Sequence, residues 1–304
     1  MLRPTVNIAA VCILAAGLLA TGCKKDDHSL AVKKEEEKKP ADAEVIDDPD
    51  NIAARAILSD FSVNWNNRTS QTTYTAAQAE ADLGNVSGWQ QSRAYITNGK
   101  DGTNGCRITL LPNALSGAGG MITDIDVSDG TAYELDFDVK FHSQFNWSRG
   151  GKVGFGFKVG DGNTGCDPAT DGNGGSLRLM WYSPNSDPNR VFFQPYVYHR
   201  DMPGTCGDTY TTRYPSSGAL QKGVWYRVHM YIKSNTGSNR DGRAQILING
   251  TPILDVPIRW TTNDSKRLIR TVTFHTFRGG SDSYWAAPST DYIYYDNLVV
   301  NKIS

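Results

Sequence analysis

The sequence predicts an all-β fold: a single sandwich of antiparallel sheets, of jelly-roll kind. Three observations predict it. Runs of alternating apolar and polar residues recur along the chain, and a β-strand points successive side chains to opposite faces. Turn-forming segments such as Asn98-Gly-Lys-Asp-Gly102 and Asn249-Gly250 stand between the runs, in a chain with 30 glycines. Only one segment reads clearly as a helix. Many strands, frequent turns and a single short helix fit two packed sheets better than any helical layer.

Residues 1–22 read as an address rather than as structure. Arg3 precedes an apolar run from Ile8 to Ala20, too short to span a bilayer comfortably. The run ends in Leu19-Ala-Thr-Gly-Cys23, which resembles a bacterial lipoprotein cleavage site with its Leu one place early. Cys23 would then be the lipidated first residue. Lys24-Lys-Asp-Asp27 resembles the export tag of surface lipoproteins in Bacteroidetes-type bacteria; a solvated charge run is the plainer reading. Residues 23–50 are mostly charged or small, with Lys33-Lys-Glu-Glu-Glu-Lys-Lys39 at their centre, and read as a disordered tether. The expected location is the bacterial outer membrane, anchored by lipid and facing the cell surface, with the periplasmic face as the alternative.

The folded part, residues 51–304, reads as one domain, since no repeat and no second core stand out. A first strand region runs from Ile52 to Asn64. Thr75-Ala-Ala-Gln-Ala-Glu-Ala-Asp-Leu83-Gly84 is the helix, with a Thr cap and a terminal Gly. Strands follow at Trp89–Thr97 and Cys106–Leu111. Tyr133–His142 alternates most cleanly: Tyr133, Leu135, Phe137, Val139 and Phe141 on one face, Glu134, Asp136, Asp138, Lys140 and His142 on the other. Val153–Val159, Leu177–Trp181, Val191–Tyr198 and Val224–Lys233 continue the set. Arg243–Ile248 and Thr251–Val256 form a hairpin about Asn249-Gly250. Leu268–Phe277 and Asp291–Val300 close the chain.

The formal net charge of -1 gives bulk electrostatics no grip on nucleic acid, and a monomer is expected. Of the five cysteines, Cys12 leaves with the signal and Cys23 takes lipid. Disulfides persist beyond the inner membrane, and Cys166 and Cys206 lie in Gly-rich loops flanking the central stretch, so they are the expected bridge. Cys106 is left over. No Cys-x-x-Cys or His-rich spacing marks a zinc site. The Asp161-Gly-Asn-Thr-Gly165 and Asp167–Asp171 stretch is oxygen-rich like a calcium loop but has no known ligand spacing. A structural calcium is therefore the only metal to consider, and no organic cofactor is expected.

The stretch from Gly150 to Tyr198 carries the candidate chemistry. Ser176 and Arg178 are two apart, as are Tyr196 and Tyr198, so each pair shares a strand face. Two neighbouring strands would present a hydroxyl, a guanidinium and two phenols together, and Lys152 could complete the set. That group suits β-elimination on a polymer of uronic acids. The C6 carboxylate must be neutralised, the C5 proton removed and the departing O4 protonated. A guanidinium pairs bidentately with carboxylate, and a Tyr beside cations can give or take a proton. Gln194 shares the face of the two tyrosines and is a sugar-binding candidate. Arg278 and Trp285 could rim the cleft. His142, His199, His229 and His275 are further candidates, with ordinary hydrogen-bonded roles as the alternative, and His199 should point away from Tyr198. A solvated strand face remains the competing reading of the whole set.

The order of four segments resembles polysaccharide lyase family 14, the alginate and glucuronan lyase-like jelly rolls. They are Arg149-Gly-Gly-Lys152; Gly174-Gly-Ser-Leu-Arg-Leu-Met-Trp181; Gln194-Pro-Tyr-Val-Tyr198; and Thr273-Phe-His-Thr-Phe-Arg-Gly-Gly-Ser-Asp282, running on to Trp285 and Tyr294-Tyr-Asp-Asn297. The resemblance implies a lyase acting on an anionic polysaccharide. It implies Arg178 at the carboxylate and Ser176 in positioning. Lys152 would be base or charge neutraliser, and Tyr196 and Tyr198 proton donor and acceptor in either order. Three departures bear on substrate choice: Lys152-Val-Gly-Phe replaces the usual Lys-Leu-Pro-Gly, Tyr182 replaces an Arg after Met-Trp, and the insertion from Tyr182 to Arg190 is longer than usual. A non-catalytic carbohydrate-binding surface lipoprotein on the same fold is the alternative.

Overall fold

The computed structural model describes residues 56–304, so the expected signal segment, Cys23, the expected tether and the start of the expected Ile52–Asn64 strand region lie outside the described residues. The strands in chain order are β1 (Phe61–Val63), β2 (Thr72–Thr73), β3 (Asn85–Ser87), β4 (Ala94–Asn98), β5 (Asn104–Leu110), β6 (Met121–Gly130), β7 (Ala132–Phe141) and β8 (Gly150–Lys152). They continue with β9 (Phe155–Gly160), β10 (Gly174–Tyr182), β11 (Phe192–Tyr198), β12 (Trp225–Lys233), β13 (Gly242–Ile248), β14 (Thr251–Ile258), β15 (Ile269–Arg278) and β16 (Asp291–Lys302). Two short helices, α1 (Ala76–Leu83) and α2 (Ser116–Gly119), accompany them.

The strands form two antiparallel sheets, as the alternation predicts. One has nine strands in the order β14-β13-β12-β7-β16-β5-β4-β2, with β1 also on β16. The other has seven, β11-β10-β8-β15-β6-β3, with β9 also between β10 and β15. The inward residues of both sheets make the core. Phe155 stacks on Phe274 at 4.3 Å between ring centres, and these meet Phe137 at 5.4 Å and Tyr295 at 5.0 Å from the other sheet. Rings in such contact add to the burial that holds the layers together. Tyr133, Leu135, Phe137, Val139 and Phe141 are buried, the inward set the sequence predicts.

Local chemistry explains the ends of the elements. Thr75 Oγ1 accepts from Gln78 N at 3.2 Å while Gln78 Oε1 accepts from Thr75 N at 3.0 Å, a capping box that starts α1. Asn249 and Gly250 have φ of 50° and 77°, the left-handed pair that a two-residue hairpin turn needs between β13 and β14. Three features depart from expectation. β6 is a ten-residue strand that the sequence pattern hides, because Thr123 takes an inward place and Ile122 an outward one. β4 starts at Ala94 rather than Trp89, whose indole instead donates to Tyr74 O at 3.0 Å. α2 is a second helix, of four residues, inserted just before β6.

Candidate active site

The outer face of the seven-stranded sheet gathers the central residues. In the β10–β11 register Ser176 lies opposite Tyr198, Arg178 opposite Tyr196, and Met180 opposite Gln194. Lys152 lies opposite Met180 on one side and opposite Phe277 on the other. Side chains directly opposite one another share a face, so Lys152, Ser176, Arg178, Gln194, Tyr196 and Tyr198 stand together.

A bulge aims the lysine. From Leu177 opposite Phe157 to Met180 opposite Lys152, β10 advances three residues while its partner advances five. The extra length is taken up about Gly154, whose φ is 77°. A side chain there would put a Cβ 2.5 Å from the Phe137 ring, so only glycine fits this turn. Bulges beside functional sites commonly redirect one side chain. Here Lys152 is 7% exposed, and its Nζ lies 3.7 Å from the centre of the Tyr196 ring. Water is mostly excluded there, so the lysine nitrogen and the ring face meet in a low-dielectric contact.

Two loops cover one end of the face. Cys166, in the loop after β9, is disulfide-bonded to Cys206, in the loop after β11, as the sequence predicts. Ser176 Oγ donates to Asn163 O, and Cys166 N donates to Tyr198 Oη, both at 2.8 Å. Tyr198 is buried beneath this flap, and burial pushes its phenol up. Tyr196 stays partly open to solvent. Gln194 is also partly open and donates to Met180 Sδ at 3.2 Å.

Behind Arg178 runs a polar chain that is buried at Arg178 and His275 and partly exposed beyond them. Arg178 Nη1 is 3.4 Å from His275 Nδ1, and His275 Nε2 faces Asp124 Oδ1 at 3.6 Å. Asp124 in turn accepts from Lys158 Nζ at 2.7 and 2.9 Å. A guanidinium has only donors, so His275 Nδ1 accepts and the proton of the neutral ring points to Asp124. Burial pushes His275 below its usual value and keeps it neutral. Burial pushes the Asp124 carboxyl up, but His275 and Lys158 outweigh it and hold the group well below the usual carboxylate range. His275 had a readable signal, since Thr273, His275 and Phe277 alternate onto one face of β15.

Other candidates lie elsewhere. Arg278 faces inward, next in sequence to Phe277, and pairs with Asp291 while also donating to Leu111 O. It therefore does not stand on the face with Lys152, and the expectation that it binds substrate is replaced by a structural placement. Trp285 stands near Tyr182 and Arg149 at the β8 end of the face. His199 points away from Tyr198, to Asp208 and Tyr210, both at 3.2 Å. His229 pairs with Asp136, and His142 lies against Tyr294, both on the other sheet. A surface hollow of about 780 Å³ on that sheet is lined by Arg243, Gln245 and Asp255, whose polar groups already satisfy one another. Cys106 is free and buried. Among the described residues no group of three or more His, Cys, Asp or Glu side chains is placed to hold a metal. Asp161 is paired with Lys266.

Comparison with known proteins sets this fold among the polysaccharide lyases. The model of the polysaccharide lyase 14 family matches residues 113–298, and the chain belongs to that family. Among solved structures it is similar to the alginate lyase Aly36B, 64% identical over 82% of this chain and 98% of that one, with a TM-score of 0.78. A variant of Aly36B with a lysine and a tyrosine replaced by alanine, in complex with alginate tetrasaccharide, is 63% identical over 82% of this chain and 98% of that one, again with a TM-score of 0.78. The marine PL-14 alginate lyase from Aplysia kurodai shares the fold at 20% identity, covering 81% of this chain and 100% of that one, with a TM-score of 0.61. Exolysin of Paramecium bursaria Chlorella virus 1 is 26% identical over 195 residues, 56% of this chain. The chain spans 29% of the length of that curated relative.

Proposed function

We propose that this polysaccharide lyase cuts a uronic-acid polymer, alginate foremost, by β-elimination. The observation that carries the reading is the meeting of Lys152, Tyr196, Met180 and Arg178 on one sheet face. In the alginate-bound variants of Aly36B, a lysine is replaced together with a tyrosine in one case and with a methionine in the other. The face of this chain sets one lysine beside one tyrosine and one methionine.

The positions of the groups support the following roles. Arg178 neutralises the C6 carboxylate, which makes the C5 proton acidic. Lys152, in its largely desolvated position, takes that proton as general base. The C5–H electron pair forms the C4–C5 double bond, and the C4–O4 bond breaks. Tyr196, open to the substrate side, donates its phenolic proton to O4 and recovers a proton from solvent, to which Lys152 releases the proton taken from C5. Tyr198 stays protonated beneath the flap and, with Ser176 and Gln194, orients the sugar. No step calls on a metal or organic cofactor.

Ultraviolet absorbance tests the reading. The full chain is mixed with alginate, its mannuronate-rich and guluronate-rich fractions, and glucuronan. A rise on one of them reports the conjugated double bond that elimination leaves. Silence on all four, with and without added calcium, would refute the lyase reading and favour the binding-module alternative.

We also propose that Cys23 anchors the chain to the outer membrane, its tether giving reach to polymer outside the cell. Cys23→Ser is expected to move the protein from the membrane fraction to the soluble one. Unchanged fractionation would overturn the anchor.

A further inference from the structure

The outer face of the nine-stranded sheet carries a row that the cleavage site does not use. Tyr95 of β4 lies opposite Arg107 of β5, and Arg107 lies opposite Tyr294 of β16. Tyr294 lies opposite Lys140 of β7, and Lys140 opposite Trp225 of β12. Five adjacent strands thus set ring, cation, ring, cation and ring in one line across the sheet. The contacts are close: the Arg107 guanidinium is 4.5 Å from the Tyr95 ring centre, and Lys140 Nζ is 4.5 Å from Trp225 and 4.8 Å from Tyr294. Tyr292 adds a second ring at 4.5 Å from Arg107.

All five side chains are partly exposed. The next carboxylates along the same face, Asp136 and Asp138, are already matched by Lys100, Arg227 and His229. Arg107 and Lys140 face ring planes instead, and Arg107 Nε is buried without a hydrogen-bond partner. Their charge therefore remains available to an outside anion. Two inter-strand spacings separate the two cations by about 10 Å. That is close to the rise of two linked pyranoses in an extended chain, and a uronic-acid polymer carries one carboxylate on every sugar. Its pyranose rings also present C–H faces that pack on aromatic rings, as the three rings of the row require.

We propose that this row is a second, non-catalytic binding track for an anionic polysaccharide of uronic acids. A chain lying across the strands sets carboxylates on Arg107 and Lys140 and sugar faces on Tyr95, Tyr294 and Trp225. The ligand class rests on the proposed substrate. The track holds polymer on the sheet opposite the cleavage face, so it acts on long chains and leaves short ones untouched.

Two pairs of substitutions in the full chain test it: Trp225→Ala with Tyr294→Ala, and Arg107→Gln with Lys140→Gln. Binding is read as retardation in gels containing alginate, on a Tyr196→Phe background so that the polymer stays intact. Each pair is expected to weaken retardation about tenfold, as loss of two contacts of stacking or ion-pair size implies. On the active background, turnover of a uronate tetrasaccharide should stay unchanged while KM on polymer rises. Retardation equal to the parent in both pairs overturns the track, as does an equal effect in gels of a neutral glucan. The glutamine pair changes no core contact and decides the matter if the alanine pair misfolds. Absence of any ultraviolet signal would refute the lyase reading alone, and the gels would still judge the track.

Discussion

Tyr196 and Tyr198 are two positions apart on β11, yet the flap reaches only one of them. Tyr198 Oη accepts from Cys166 N beneath the covering loop, whereas Tyr196 sits over Lys152 at the open side. Tyr196→Phe is expected to lower kcat about 10²–10⁴-fold, the size of a lost general acid, with circular dichroism unchanged. Tyr198→Phe should instead leave the Cys166 amide without its acceptor, at a cost of about 1–3 kcal/mol in stability and with the smaller loss of rate. Equal rate losses in the two variants would put the acid elsewhere. His275 acts one step further back, through Arg178. Protonating it would set a cation 3.4 Å from the guanidinium. Burial holds its folded value below the ordinary 6.5, so as pH falls the unfolded chain takes up the proton first. The stability this neutral ring contributes is present above pH 6.5 and is lost as pH falls below it. His275→Gln should flatten that acid limb in both stability and turnover and raise KM more than it lowers kcat. A variant with the acid limb of the wild type would remove His275 from this role.

At the scale of elements, the site depends on two loops held together above the β10–β11 pair. The Cys166–Cys206 bridge closes a sequence separation of 40 residues. A loop of that length constrains the unfolded chain by about 4 kcal/mol in the chain-entropy model. Replacing both cysteines with serine should lower stability by up to that amount in a denaturant titration. It should also raise KM, because Ser176 and Tyr198 lose the backbone groups that fix them. An unchanged midpoint and KM would mean that hydrogen bonds alone hold the flap. Much of this region was legible in the sequence, because alternation alone sets Ser176 with Arg178 and Tyr196 with Tyr198. The register that brings the two pairs face to face was not, since a loop joins β10 to β11 and no residue pattern fixes where pairing begins. Nor was the bulge about Gly154 legible. It answers to the Phe137 ring of the other sheet, a contact between residues distant in the chain. His275 was legible in place but not in role, because its partners Arg178 and Asp124 come from other strands.

For the molecule as a whole, the question is what fixes the cleavage sheet to the sheet behind it. Aromatic packing is joined by buried polar links across the layers, Thr276 with Tyr295 at 2.7 Å and Arg278 with Asp291. Arg278 of β15 and Asp291 of β16 are 1% and 3% exposed and pair directly, with Ser289 Oγ also donating to Asp291 at 2.7 Å. The sequence reads Arg278 as a residue that could rim the cleft. Strand alternation instead turns it inward, where burial pulls its guanidinium down and Asp291 opposes that. A buried pair of this kind contributes little net over an apolar replacement, yet breaking it leaves one charge without its partner. Arg278→Ala is therefore expected to cost about 3–5 kcal/mol in chemical denaturation. The double variant Arg278→Met with Asp291→Leu should recover most of that loss, because neither charge is then buried alone. KM of the folded enzyme should stay near the wild-type value in both, since neither side chain stands on the cleavage face. If Arg278→Ala raised KM sharply while the denaturation midpoint held, the guanidinium would belong to the substrate after all.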